Sequence, residues 1–269
     1  MDMDRVSAIH NTEAYLKRIG LPGSVSVDLV GLNRMIQAHL THVPFEALDV
    51  WGKGAVPSLD IEDLYQKIVI DNRGGYCFEL NSLFCAMLKK LGFDAYLVIA
   101  SLLNEEGIAA PPAHCAIICK ISGQKYFVDV GFGGPVPFGA LLLTEGEAQG
   151  FQLSVKDGFY ILKKISGDTG TFLLRFRDIP VEPVELIPLN FYISQKPGIH
   201  FRENLIVNLR KEDGSVYTLR DNTLQLRRGK EASEFHVEDQ QTLREVLKST
   251  FHIDPDKAQL RDEGKELMK

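Results

Sequence analysis

No apolar run in this 269-residue chain approaches the ~18 residues that a membrane-crossing helix needs. Basic charge is not in excess: 30 Lys and Arg face 36 Asp and Glu, for a net charge of −6. That balance argues against a nucleic-acid-binding surface. Met1-Asp2-Met3-Asp4-Arg5 carries neither the basic nor the apolar region of a secretory signal, so a cytoplasmic protein with no membrane partner is expected. Only four cysteines occur, Cys77, Cys85, Cys115 and Cys119, and no two form a C-x-x-C pair. They are too few and too clustered for a disulfide framework and supply no zinc ligand set, so reduced thiols and no metal are expected. Internal repeats, low-complexity tracts and the glycine patterns of nucleotide-phosphate loops are absent as well.

What is present is ordinary soluble-protein material, 45% hydrophobic and 25% charged, in a chain long enough for two or three subdomains sharing a core. Helical patterns come first. Asn11 or Thr12 heads a short helix through Ile19, and Asp28 heads a stripe of Leu29, Leu32, Ile36 and Leu40 that stops before Pro44. Ser58 or Asp60 heads a third helix. Leu80, Leu83, Phe84, Met87, Leu88 and Leu91 then repeat at three-and-four spacing, which predicts a buried amphipathic helix from Cys77 to Lys90, stopped at Gly92. Strand-like runs follow at Ala95–Leu103, His114–Ile121, Tyr126–Val130, Phe151–Val155, Phe159–Ile165 and Thr171–Arg177, with turns at Asp157-Gly158 and Gly167-Asp168. Such hairpins make an antiparallel sheet or small barrel, and the fold class is α+β. Pro180, Pro183 and Pro188 read as a connector. Glu203–Lys211, Ser215–Leu219 and Leu224–Arg227 read as further strands, and a last helix is expected near 238–251. Asp254–Lys269 is charged and poor in hydrophobes, so a loosely held tail is expected.

The chemistry centres on Cys77. It sits in the first turn of its helix behind Gly74-Gly75, where N–H groups and the dipole favour thiolate and can later hold an oxyanion at Phe78. The plainer alternative is a small buried hydrophobe, which suits Cys85. A nucleophilic thiolate needs a base and an orienter. Of the seven histidines, His114 opens a strand after the Pro111-Pro112-Ala113 loop, at a sheet edge where a cleft can form. Asp129 is an acid inside the apolar run Tyr126–Val130, where an unpaired carboxylate is costly, so an imidazole partner is expected. Taken singly, His114 reads equally as a structural histidine and Asp129 as a solvent-facing acid; the three together make the site. Asn81 falls on the Cys77 face of the helix as a second partner. A tight turn at Gly123-Gln124 pairs Asp129 with Ile118 and leaves it about 13 Å from the position opposite His114, so another register or a bulge must close that gap. Gly131-Phe132-Gly133-Gly134 can present N–H groups of Gly131, Gly133 and Gly134 to a ligand's phosphate or carbonyl oxygen, or make an ordinary turn; Phe132 is either a pocket wall or core.

These residues resemble the arylamine N-acetyltransferase family. Its Arg-Gly-Gly-x-Cys-Phe-Glu-x-Asn signature is matched throughout by Arg73-Gly74-Gly75-Tyr76-Cys77-Phe78-Glu79-Leu80-Asn81. Its Asp-Val-Gly-Phe-Gly element is Asp129-Val130-Gly131-Phe132-Gly133, and His114 resembles its histidine. His42-Val43-Pro44-Phe45-Glu46 resembles its Pro-Phe-Glu-Asn segment with Ala47 in place of asparagine, and Asn190–Ser194 with Phe201 resemble another segment more loosely. The resemblance spans residues 12 to about 253. It implies an N-terminal helical bundle carrying the nucleophile (1–92), a central antiparallel β-barrel-like domain carrying His and Asp (93–195) and a C-terminal α/β lid (196–269), with a triad like that of cysteine proteases and transglutaminases. It further implies Cys77, His114 and Asp129 as catalytic residues and Phe78, Asn81, Arg73 and Glu79 as oxyanion holders or support. Phe132 and Phe201 are implied as substrate walls. The implied reaction is ping-pong transfer of acetyl from acetyl-CoA, as co-substrate, to a small aromatic amine or hydrazine. A cysteine hydrolase or amide-transferring enzyme on the same triad is the first alternative, and a non-catalytic binding module the second.

Overall fold

Caps set the N-terminal helices. Asn11 accepts the N–H groups of Glu13 and Ala14 to start α1 (Thr12–Arg18), and Asp28 accepts that of Gly31 to start α2 (Leu29–His42). A two-residue strand β1 (Phe45–Glu46) and a short helix α3 (Leu48–Lys53) follow, neither of which the sequence pattern predicts. Asp60 caps α4 (Ile61–Tyr65), which runs into a π-helical turn over Gln66–Ile70. The next helix, α5, is Cys77–Lys90, the bounds that its apolar spacing predicts, and Gly92 ends it at φ +98°. The structure is a computed structural model that describes residues 11–167 and 169–261. The Met1–Arg5 stretch, Asp168 of the Gly167-Asp168 turn and residues 262–269 of the tail lie outside it.

Eight antiparallel strands follow: β2 (Asp94–Leu102), β3 (His114–Ile121), β4 (Gln124–Val128), β5 (Leu141–Leu142), β6 (Gly146–Ala148), β7 (Phe151–Lys156), β8 (Phe159–Ser166) and β9 (Thr169–Phe176). They pair in the order β5-β4-β3-β2-β9-β8-β7-β6 and curl into a barrel-like sheet. Alternation along β3 serves two cores. Cys115, Ile117 and Cys119 pack with Leu80, Phe84 and Leu88 of α5, while Ala116 and Ile118 pack inward with Phe127, Leu153, Leu162 and Phe176.

The β3–β4 hairpin corrects one expectation. Ile121 pairs with Gln124 and Ile117 with Val128, so the turn is Ser122-Gly123, not Gly123-Gln124. Both turn residues have positive φ, +50° at Ser122 and +79° at Gly123, as a tight hairpin requires. This register continues to Asp129 opposite Ala116, two residues (about 7 Å) from the position opposite His114 rather than four. The gap therefore halves without a bulge, and both side chains stay on one face.

The proline-punctuated connector is also corrected: it is a helix, α6 (Pro183–Gln195). Pro183 occupies its first turn, where no N–H is needed. Pro188 sits inside it and is outweighed by burial of Leu186, Asn190 and Ile193. The start of the expected Glu203–Lys211 strand is instead a helical turn, α7 (His200–Glu203). A second antiparallel sheet then forms from β10 (Ile206–Arg210), β11 (Val216–Arg220), β12 (Thr223–Arg228) and β13 (Glu231–His236), backed by α8 (Gln240–Thr250). Its order is β1-β10-β11-β12-β13, so Phe45–Glu46 from the helical part supplies one edge, with Phe45 opposite Asn208. Within the described part of the tail, Arg261 donates to the Trp51 carbonyl at 3.0 Å and lies over its ring. No helix among the described residues is long and apolar enough to cross a membrane.

Candidate active site

Cys77 is the first residue of α5 and is 4% exposed. Its thiol donates to the Ala113 carbonyl at 3.8 Å, next to His114. Among the described residues, no acceptor engages the N–H groups of Cys77 and Phe78, as befits a first helical turn. His114, at the head of β3, points Nε2 at Asp129 Oδ2 across 2.6 Å, which leaves Nδ1 as the ring nitrogen for Cys77. Asp129 Oδ1 accepts from Asn81 Nδ2 and from the Gly131 N–H, each at 2.9 Å. Asn81 also donates to the Cys115 carbonyl at 2.8 Å and accepts the Val130 N–H at 3.0 Å. One side chain of α5 thus clamps β3 and the segment after β4 to the nucleophile's helix. The predicted Cys77, His114, Asp129 and Asn81 come together in one place.

Burial of the imidazole works to lower its pKa, but the charge and hydrogen bond of Asp129, helped by Cys77, outweigh it and raise His114 from 6.5 to about 10. Imidazolium is the favoured form in this setting. Cys115, beside it, has its thiol pushed up by burial first and by Cys77 and Asp129 next. It stays protonated and donates to the Cys77 carbonyl at 3.5 Å.

Beneath the helix start lies a buried ionic cluster. Arg73 donates through Nε to Glu46 Oε1 at 2.9 Å, through Nη2 to Asp49 Oδ1 at 2.8 Å and through Nη1 to the Lys257 carbonyl at 2.7 Å. Asp49 therefore gives Arg73 a partner although Ala47 carries no polar group. Lys67, from the π-helical turn, reaches Glu79 at 2.7 Å and Asp49 at 2.8 Å. Glu79 in turn accepts the Tyr76 N–H at 3.1 Å, tying the cluster to the residue before Cys77. Burial, with Glu46 and Asp49 adding to it against the pull of Lys67, raises Glu79 from 4.5 to about 7.

The remaining predicted residues are placed as follows. The Phe132 ring meets His114 edge-on at 5.5 Å. Phe132, Gly133 and Gly134 line a cavity of about 430 Å³ with Phe45, Val130 and Val136. Gly131 lies against the Cys77 backbone, where a Cβ would come within 2.9 Å of Cys77 Cα, and its N–H is held by Asp129. Phe201 packs on Tyr76 and Phe45, at 5.8 and 6.0 Å between ring centres, behind the cavity rather than on its wall. Phe45, Asn208 and Arg210 also line the cavity and were missed, because they come from strands whose pairing is not local. The signal for Lys67 and Asp49 was weak, as charged residues on short helices ordinarily face water. Among the described residues no group of three or more His, Cys, Asp or Glu is clustered to hold a metal ion.

The N-acetyltransferase family pattern matches residues 28–260. The arylamine N-acetyltransferase of Mycolicibacterium smegmatis is 30% identical, covering 89% of this chain and 90% of that protein. That of Escherichia coli K12 is 29% identical over 76% and 75%. Among solved structures, Mycobacterium marinum arylamine N-acetyltransferase in complex with CoA superposes with a TM-score of 0.85 at 26% identity, covering 91% of this chain and 94% of that one. The Salmonella typhimurium arylamine N-acetyltransferase gives 0.84 at 25% identity, over 94% and 93%. With its family pattern spanning both sheets and the Cys77 helix, the chain belongs to the arylamine N-acetyltransferase family.

Proposed function

We propose that this protein moves an acetyl group from acetyl-CoA to an aromatic amine or hydrazine through an acetyl-Cys77 intermediate. The observation that carries this reading is the 2.6 Å His114–Asp129 pair, buried at the head of the interior strand β3 beside a cysteine that opens a helix. The M. marinum relative in complex with CoA supports the donor, and the relatives named arylamine N-acetyltransferases support the acceptor.

Before the first half-reaction the Cys77 proton rests on His114, where Asp129 stabilises the imidazolium and fixes its orientation, and the thiolate so formed attacks the thioester carbonyl. The unengaged N–H groups of Cys77 and Phe78 are the donors for the developing oxyanion. The carbon–sulfur bond to CoA breaks, and the CoA thiolate recovers the proton from His114. In the second half-reaction the amine nitrogen attacks the acetyl carbon, its proton passes to His114, and the Cys77 thiolate leaves. Aromatic amines are mostly neutral at pH 7, which suits a cavity walled by Phe45, Phe132, Val130 and Val136. Initial rates measured with acetyl-CoA and aniline both varied test the reading. Parallel double-reciprocal lines are expected. Intersecting lines remove the intermediate, and acetyl-CoA consumption that is the same without aniline makes the protein a hydrolase.

A further inference from the structure

The helix α6 is buried on one face only. Leu186, Asn190 and Ile193 turn inward, where Asn190 meets the Tyr76 hydroxyl. The opposite face carries Val184, Ile187 and Phe191, exposed by 66%, 53% and 59%, with exposed Pro188 among them. Positions i, i+3, i+4 and i+7 of a helix lie in one row, so these four side chains form a single stripe two turns long. Asn190 and Gln195 each donate at 2.8 Å, to the carbonyls of Pro57 and Gly54, so the segment between those two runs alongside α6. That segment carries Val56, itself 45% exposed, and widens the apolar surface. Single apolar side chains on a surface are ordinary, whereas a contiguous row marks an interaction site.

The charges at the two ends of the helix select the partner. Glu182 is its N-cap and Glu185 lies in its first turn, while Lys196 is its C-cap. Lys196 donates to the Tyr192 hydroxyl at 2.8 Å, and none of these three charges belongs to an ion pair among the described residues. A lipid surface calls for cations beside the apolar face, and here two of the three charges are acids. We propose that the outer face of α6 docks against α6 of a second copy of this chain, the two helices lying antiparallel about a two-fold axis between Ile187 and Pro188. The stripe is self-complementary in that arrangement: Val184 meets Phe191 of the partner subunit, and Ile187 meets the partner's Ile187. Glu182 comes within about 5 Å, along the axis, of the partner's Lys196, and the helix dipoles oppose. A parallel arrangement sets like charges and like dipole ends together instead. The contact is isologous and closes at two chains.

Sedimentation velocity on the whole chain, over about 1–500 µM, tests this in the range where a small interface associates. The parent should pass from monomer to dimer across that range. Phe191→Glu should raise the dimer dissociation constant at least roughly tenfold, as loss of an aromatic anchor does, with thermal melting reporting that the variant is folded. Ile187→Cys supplies a second readout. The four native cysteines are buried, so the new thiol is exposed alone, and mild oxidation should link it to its own copy as a covalent dimer. A parent that stays monomeric throughout overturns the proposal. A dimer that Phe191→Glu leaves unchanged overturns it too, and a dimer that Ile187→Cys does not cross-link overturns the two-fold arrangement. A monomeric parent that binds phosphatidylcholine vesicles, where Phe191→Glu does not, overturns the second copy and assigns the stripe to a lipid surface.

Discussion

Replacing Asp129 by asparagine keeps the shape of the site and removes its buried charge. Asp129 Oδ1 serves two donors, Asn81 Nδ2 and the Gly131 N–H, so the oxygen of the new amide is drawn to them and its NH2 is left facing His114 Nε2. Nε2 must then act as an acceptor, which puts the imidazole proton on Nδ1, the nitrogen that would otherwise take the Cys77 proton. The electrostatic effect works in the same direction. Raising His114 from 6.5 to about 10 represents roughly 5 kcal/mol of preference for imidazolium. Loss of one member of a buried charge pair typically removes about 3–5 kcal/mol. Wrong tautomer and lost charge together should slow acylation of Cys77 by roughly 10²- to 10⁴-fold. Two assays read this: alkylation of Cys77 by iodoacetamide at pH 7, and single-turnover acetylation by acetyl-CoA, with thermal melting as the folding control. A folded Asp129→Asn variant whose Cys77 reacts at the parent's rate refutes the reasoning.

Two further outcomes concern the cluster under the helix. Glu79 has a folded-state pKa raised from 4.5 to about 7, so its contribution to stability is full below pH 4.5 and lost as pH rises through about 7. His114, raised from 6.5 to about 10, contributes fully below pH 6.5 and loses its contribution as pH rises through about 10. Buried His39, lowered from 6.5 to about 3 by burial first and by Arg18 and His42 next, works against Glu79 in the lower window. The test there is therefore a difference: Glu79→Gln should remove a falling contribution and turn the slope of urea midpoint against pH upward relative to the parent from pH 4.5 to 7, while leaving the decline toward pH 10. A parent-like slope from pH 4.5 to 7 contradicts this. Arg73→Lys cannot reproduce the bonds to Glu46, Asp49 and the Lys257 carbonyl, and should cost about 3–5 kcal/mol. For a chain of this length that is a melting temperature lower by roughly 10 °C, and an unchanged melt argues against the cluster as a support.

Much of this architecture was legible because local physics decided it. The Cys77 helix and the His114 strand have the bounds their patterns predict, and Asn11, Asp28 and Asp60 cap as such residues do. Elsewhere tertiary contacts overrode local propensity. Pro188 argued against a helix over Pro183–Gln195, yet Asn190, which donates to the Pro57 carbonyl at 2.8 Å and accepts from the Tyr76 hydroxyl, holds that helix against the nucleophile's neighbour. β1 is two residues long and pairs with distant β10 on one side and bridges to Gly75 on the other, too short for any alternation to show. β13 is exposed throughout and held by backbone pairing, so it carries no apolar signal. Within the site, Cys77, His114, Asp129 and Asn81 were readable from helix position, strand start, a lone acid and face sharing. Their contact was not, because it depended on a left-handed Ser122 that places the hairpin turn one residue earlier than glycine alone indicates. Arg210 was out of reach altogether, since only the assembled sheet brings it to the cavity that Phe132 lines.

The central claim is that Cys77 itself carries the acetyl group. Intact-protein mass spectrometry after mixing with acetyl-CoA, followed by peptide mapping and then by addition of aniline, tests it most directly. The expected result is one acetyl group on Cys77 that disappears when aniline is added, with acetanilide formed in equal amount. An unmodified Cys77, or an acetyl group on it that aniline leaves in place, contradicts the account.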